Sequence, residues 1–556
     1  MRILTLVLVF LTVSWASSQE RTFTEQDSLR GSITPERAWW DLNYYHLDIT
    51  VDPDRKYISG SNTIRYSVLE PKNRLQIDLQ PPLKIDKIIQ AGKELAWESR
   101  GNAHFVLLED SQPANSSQEL IVYYSGKPVE ARMPPWDGGF SWRKDGNGNH
   151  FVATSCQGIG ASVWWPNKDH MYDEVDSMAI SVTVPKDLVG VANGRLRSVE
   201  KSKKTDTYHW FVRNPINNYG VNVNIADYVH FGEIFQGEKG PLDMDYYVLR
   251  DNLERAKSQF IQAPMTIEAF EYWFGPYPFY EDSYKLVEVP YLGMEHQSSV
   301  TYGNGYQNGY LGRDLSDSGG GRLFDFIIVH ETGHEWFANN ITYKDAADMW
   351  IHEGFTAYSE NLYLEYLIGI GDFIEGQVNR ELGKQVGAKY VLGTRKNIRN
   401  DRPVIGQYNV NHPGSGDMYY KGSNMLHTLR QLLEDDDLWR NILRGLNSEF
   451  YHQTVSTEQI ENYLSEKTEK DLSAFFDQDL RTTKIPVLEF KMDGELFSFR
   501  YTNVVDGFDM PLRIFIDGQE QWIFPSASWK TQKISNKTIP EFDPNFYVET
   551  RVITNG

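Results

Sequence analysis

A single cysteine, Cys156, stands among 556 residues, so no disulfide within the chain can brace the fold. A lone cysteine of this kind reads as a small buried apolar residue. Positive charge is also short. Lys and Arg number 55 against 76 Asp and Glu, for a formal charge of −21. Nucleic-acid binding needs a basic footprint to displace counterions, and this balance works against it. The acidic excess serves solubility and also favours cationic ligands, such as peptides with a free amino end. Beyond the extreme N-terminus no apolar run reaches about 18 residues, so no membrane span is expected. No repeat of solenoid period is found.

What is present divides the chain into regions. "MRILTLVLVFLTVSWASSQ" places Arg2 before an apolar run from Ile3 to Trp15, followed by Ala16 and Ser18 ahead of Gln19. That pattern predicts a signal peptide over 1–18 and an exported protein, periplasmic or extracellular. A length of 556 residues exceeds one hydrophobic core and calls for several domains. Residues 19–237 alternate or run apolar between Pro, Gly and Asn punctuation, as in "YYHLDITVDP" and "SMAISVTVP", which predicts a β-domain. Helical spacing begins at about 250 and recurs at 322–340, 353–368, 372–388, 421–447 and 457–480, within a mainly helical domain at 238–484. Asp317 or Ser318 is the expected start signal of the helix over 322–340. Residues 485–556 return to strands, with MDG and IDG turns suited to hairpins in a small β-sandwich. The fold class expected is multidomain α+β. Sequons occur at Asn115, Asn340 and Asn536. Oligomeric state is not legible, and a monomer is the default.

The chemistry concentrates in Phe326–Ala338, "FIIVHETGHEWFA". On a helix, residues four apart share a face about 6 Å apart along the axis, so His330 and His334 point the same way. Two imidazoles so placed can bind one zinc ion, with Glu331 beside them in position for a general base. The bland alternative is a pair of histidines hydrogen-bonded on a half-buried helix. A catalytic zinc site wants three protein ligands, and Glu353 in "MWIHEGFTAYSENL" offers the third, after a gap long enough for one helix to end and another to return. Glu353 alone would also suit the dipole at a helix N-terminus.

The pattern HExxH-x18-E followed by "GFTAYSE" resembles the M1 family of zinc aminopeptidases, the aminopeptidase N-like enzymes. "YLGMEHQSS" stands where that family usually reads GxMEN, and "MYYKGSNML" is similar to its Y-x-K-G segment. "FGPYPF" and the β-rich opening also look like this family, so the resemblance covers nearly the whole mature chain. It implies a saddle-like N-terminal β-sheet domain, a thermolysin-like catalytic domain and a C-terminal β-sandwich. It also implies one Zn2+ per chain held by His330, His334 and Glu353, with Glu331 as general base and Tyr419 stabilising the transition state. Glu295 would bind the α-ammonium group, with Gln157 of "TSCQGIG", Gly293 and Met294 completing the substrate site. The implied activity is removal of the N-terminal residue from peptides with a free amino end.

Departures from the family pattern are Leu292 for its first motif glycine, His296 for its Asn, and His352 for the Asn before the third ligand. The helical domain that closes over the site in many relatives is expected to be absent, and a more open site is expected with it. A thermolysin-like endopeptidase is the nearest rival, distinguished by cleavage of peptides with blocked amino ends. An epoxide hydrolase and a catalytically silent peptide-binding relative are the others.

Overall fold

A computed structural model describes residues 22–371, 379–534 and 539–554. The expected signal peptide, the sequon at Asn536 and residues 372–378 of the expected helix lie outside the described residues.

The N-terminal region is built on a ten-stranded sheet, whose long central strand Trp40–Asp52 pairs antiparallel with Tyr57–Val68 and parallel with Ser177–Pro185. Tyr45, Leu47, Ile49 and Val51 are buried while Asp48 and Thr50 are exposed, the period-two pattern of a sheet with one face in a core. A four-stranded sheet, containing His150–Ser155, shares that core. Gln157 leaves it two residues past this strand.

The strands Tyr228–Gly237 and Gly240–Leu249 form a hairpin. The second strand pairs parallel with Tyr284–Glu288 in a five-stranded sheet. That sheet ends at the two-residue strand Gly293–Met294, in register with Tyr302 and Thr301, and so delivers Glu295 at an edge. Helices follow, and two four- and three-stranded sheets close the chain. Asp517 and Gly518 turn the hairpin Leu512–Ile516/Gln519–Ile523 with positive φ at both residues, as an IDG turn requires. The overall class is therefore the expected one: a β-rich N-terminal region, a helical catalytic region and C-terminal strands.

The helix boundaries need correction. The histidine helix spans Phe326–Gly333, and its cap is Asp325 rather than Asp317 or Ser318. The Asp325 carboxylate accepts from the amides of Ile327 and Ile328 and is itself held by Tyr302, Gln259 and Asn304. The stretch 421–447 is two helices, Tyr420–Leu433 and Asp436–Glu449, broken where Glu434 turns left-handed and Asp435 caps the second. The stretch 457–480 is likewise Thr457–Thr468 and Ser473–Arg481. The described part of the expected 372–388 helix lies in Arg380–Thr394. Asn340 is buried and bonds Asn447, so that sequon cannot carry a glycan, whereas Asn115 is exposed. Cys156 is fully buried, its thiol donating to the Tyr219 carbonyl. Among the described residues no helix is long and apolar enough to cross a membrane.

Candidate active site

His330 and His334 lie on one face of the helix Phe326–Gly333 and its cap, their ring centroids 4.9 Å apart. A second helix, Trp350–Gly369, crosses this one and brings Glu353 in its first turn to the imidazoles. Glu353 Oε2 is 3.3 Å from His334 Nε2 and 3.7 Å from His330 Nε2. The close approach of the helices requires Gly333. A Cβ there would stand 2.7 Å from Ser359 Oγ and 3.2 Å from Thr356 Cγ2. The glycine thus makes room for the neighbouring helix.

Both imidazoles are fixed from behind. His330 Nδ1 meets Glu360 Oε1 at 2.7 Å, and Glu360 Oε2 in turn accepts from the Tyr390 hydroxyl. His334 Nδ1 faces the Phe337 carbonyl at 3.0 Å and Thr356 Oγ1 at 3.0 Å. Nδ1–H donation of this kind leaves the Nε2 lone pairs pointing at Glu353, the tautomer and orientation of metal-ligating histidines. Glu353 Oε2 is buried with no hydrogen-bond partner among the described residues, and an ionised carboxylate is costly in that condition without a cation. Two nitrogens and one oxygen, within 4.8 Å of one another and all buried, are a donor set suited to catalytic zinc. Glu295, Glu331 and His334 form a second such group. The first group is favoured because both its imidazoles are backed at Nδ1 and Glu353 Oε2 is left without a partner among the described residues.

Gln157 ties the site to the N-terminal region. Its amide nitrogen donates to Glu295 Oε1 at 2.6 Å and to Glu353 Oε1 at 2.9 Å. Glu295 is also touched by the Tyr219 hydroxyl, which meets His352 Nδ1 at 3.3 Å. His352 Nε2 accepts the Tyr343 amide at 2.9 Å, so its proton sits on Nδ1 and is directed to Tyr219. His352, one of the family departures, therefore belongs to a hydrogen-bonded chain that ends on Glu295. His296 is wholly buried, with Nδ1 3.3 Å from Thr301 Oγ1.

Burial pushes the Glu331 carboxyl up to about 7; the imidazoles of His330 and His334 oppose that rise and Glu295 adds to it. Burial also raises Glu295. Glu353 goes the other way: burial is outweighed by His334 and His330, which hold its carboxyl well below the usual carboxylate range. Burial, followed by the charges of Glu353 and Glu295, keeps the Tyr419 phenol protonated far above its ordinary value. Its ring lies over His330 at 6.2 Å, and Glu353, Glu295 and Glu331 all act on it; the neighbouring Tyr420 is raised by burial first, then by Glu360, Tyr310 and Glu353. Tyr419 is thus the tyrosine on which Glu295 and Glu331 act together with Glu353. It is placed by Gly422 and Gly354, whose backbones touch where the helices Tyr420–Leu433 and Trp350–Gly369 cross.

A cavity of 730 Å3 joins these groups, within the usual size for small-ligand sites. Glu295, Glu331, His330, His334, Glu353, Tyr419, Gln157 and Gly293 all line it. A Cβ at Gly293 would meet Ile327 at 2.6 Å and Glu331 Oε1 at 3.3 Å, so the glycine keeps the wall close to the Glu331 carboxylate. Met294 is buried in the core of the N-terminal sheets and supports the edge strand from behind, without lining the cavity. Trp136, 61% exposed at the cavity wall, and Arg399 also line the cavity, and no sequence pattern pointed to either. Both come from loops carrying no motif.

The peptidase family M1 domain model matches residues 260–478, and the peptidase M1 N-terminal domain model matches 42–219. The chain belongs to the M1 peptidase family. An M1 zinc metallopeptidase from Deinococcus radiodurans has a similar fold, with TM-score 0.62 at 19% identity over 80% of this chain and 94% of that one. A probable aminopeptidase 1 of Sulfurisphaera tokodaii is 21% identical over 79% of this chain and 54% of its own length. A leukotriene A-4 hydrolase of Xenopus laevis is 23% identical over 78% and 68%. The chain spans about half the length of the Sulfurisphaera relative.

Proposed function

We propose that this M1 peptidase is an exported zinc aminopeptidase acting on peptides with a free amino terminus. One observation carries the reading: a single glutamine, Gln157, joins the carboxylate of the metal triad, Glu353, to a second buried carboxylate, Glu295. The amino-end reader and the metal centre are thereby held one hydrogen-bonded unit apart. One zinc per chain would be held by His330, His334 and Glu353, and when bound it supplies Lewis acidity to water and to a carbonyl.

The chain's own residues supply the remaining chemistry. Glu295 Oε2 and the Gln157 side chain receive the α-ammonium group, which fixes the distance from amino end to scissile bond at one residue. Glu331, buried beside the two imidazoles and lining the cavity, is placed to take a proton from water and return it to the leaving amine. The Tyr419 hydroxyl, kept protonated by its surroundings, donates to the carbonyl oxygen as that atom gains charge. Export rests on the Arg2-led apolar run before Gln19, and the chain is taken to act as a monomer.

The test is Glu295→Ala assayed on a panel of fluorogenic amino-acid amides. Hydrolysis should be lost while zinc content stays at one per chain. Normal turnover in that variant would end the exopeptidase reading, and hydrolysis of blocked peptides would favour an endopeptidase.

A further inference from the structure

Arg399 is the single Lys or Arg among the residues lining the catalytic cavity, and its guanidinium has no hydrogen bond or ion pair among the described residues. Its neighbours differ. Arg395 bonds Asn424 and the carbonyls of Pro544 and Asn545, and Lys396 pairs with Asp317. In a chain of charge −21, an exposed arginine facing a cavity of buried carboxylates without taking one as partner stands out.

Its base is not loose. The backbone amides of Arg399 and Asn400 donate to the two oxygens of Asp417, at 2.9 and 2.6 Å. Asp417 is buried two residues before Tyr419, so the arginine is tied to the segment that carries the proposed oxyanion donor. The cavity therefore holds a carboxylate for a cation, Glu295, and a separate free guanidinium. A planar guanidinium matches a carboxylate through two parallel hydrogen bonds. We propose that Arg399 binds a carboxylate of the peptide, making the cavity a receptor for short zwitterionic peptides whose amino end lies at Glu295. This rests on the aminopeptidase reading only for the position of the amino end. The carboxylate comes either from the C-terminus of a di- or tripeptide or from an acidic side chain.

Calorimetric titration of zinc-loaded protein carrying Glu331→Gln, so that ligands survive, tests it. The ligands are tri-alanine, its C-terminal amide, the amide of Ala-Glu-Ala and N-acetyl-tri-alanine. Tri-alanine should bind about tenfold more tightly than its amide, the size of one charge-assisted pair at a partly solvated site. Arg399→Ala should erase that difference, and Arg399→Lys should keep part of it. Restored affinity with Ala-Glu-Ala amide identifies a side-chain carboxylate as a second source, and no restoration restricts the site to C-termini. Equal binding of acid and amide by the Arg399 protein, or a preference that survives Arg399→Ala, overturns the inference. The acetylated ligand reports separately: unchanged affinity on acetylation counts against Glu295 as amino-end reader and leaves the acid-to-amide ratio readable.

Discussion

Gly422 offers a test of how helix packing sets the catalytic geometry. Its Cβ, if added, would lie 3.0 Å from Gly354 Cα, with only Gly354 N otherwise near at 3.9 Å. Ordinary contact begins at 3.4 Å. The helix Tyr420–Leu433 would therefore have to retreat by about 0.4 Å or more from Trp350–Gly369. Overpacking of this kind costs about 1–3 kcal/mol, and replacing a helical glycine by alanine returns about 1 kcal/mol. A net loss of about 0–2 kcal/mol follows. Activity should suffer more than stability, because Tyr419 opens the retreating helix while His330, His334 and Glu353 stay on the other two. Small displacements of a positioned catalytic group cost up to about 100-fold in rate. Gly422→Ala should thus melt within several degrees of the parent, retain its zinc, and lose most of its kcat. Metal analysis, thermal melts and steady-state kinetics on an amino-acid amide measure all three. Unchanged kcat with a folded, zinc-loaded protein would refute the claim that this crossing places Tyr419.

Tyr419→Phe should lower kcat by about 100–1,000-fold with KM little changed, the mark of a donor used only in the transition state; a dominant rise in KM would assign the hydroxyl to substrate binding. Tyr219→Phe cuts the chain from His352 to Glu295 and should raise KM for free-amine substrates by about tenfold while zinc stays bound, with equal KM before and after contradicting a positioning role. Glu174, whose carboxyl lies against Thr342 and is raised by burial to about 8, gives a pH signature. The folded state holds its proton more tightly than the unfolded chain, so its contribution is complete below the ordinary carboxyl value and is lost as pH rises through about 8. Glu174→Gln should flatten the fall in melting temperature between pH 5 and 8 (about the window set by those two values), and an unaltered slope would show that another group governs it.

The metal triad was legible because helix geometry fixes the spacing of His330 and His334, and because a return helix has few ways to place Glu353. Tyr419 and Glu295 were legible through family resemblance alone, since nothing local distinguishes Tyr419 from Tyr420. Asp325 was missed as a cap because its competitors Asp317 and Ser318 look equally suitable in sequence, and the choice is made by Tyr302, Gln259 and Asn304 from elsewhere in the fold. The break at Glu434 did carry a signal, the acidic run that provides Asp435 as a cap, hidden by apolar spacing that continues across it. Arg399 and Trp136 had no signal at all. Their places at the cavity arise from loops brought together by tertiary packing. His352 illustrates a further limit: a departure from a motif gains meaning only when Tyr219 and Tyr343 are seen around it.

As proposed, Glu295 and the triad of His330, His334 and Glu353 together measure one residue from a free amino end. The most direct measurement is the rate at which the unmodified enzyme cleaves a short peptide and the same peptide acetylated at its amino terminus, with products identified by mass spectrometry. Stepwise release of single residues from the free peptide and near-complete loss of cleavage on acetylation are expected. Internal cleavage of the acetylated peptide at a comparable rate would contradict that reading.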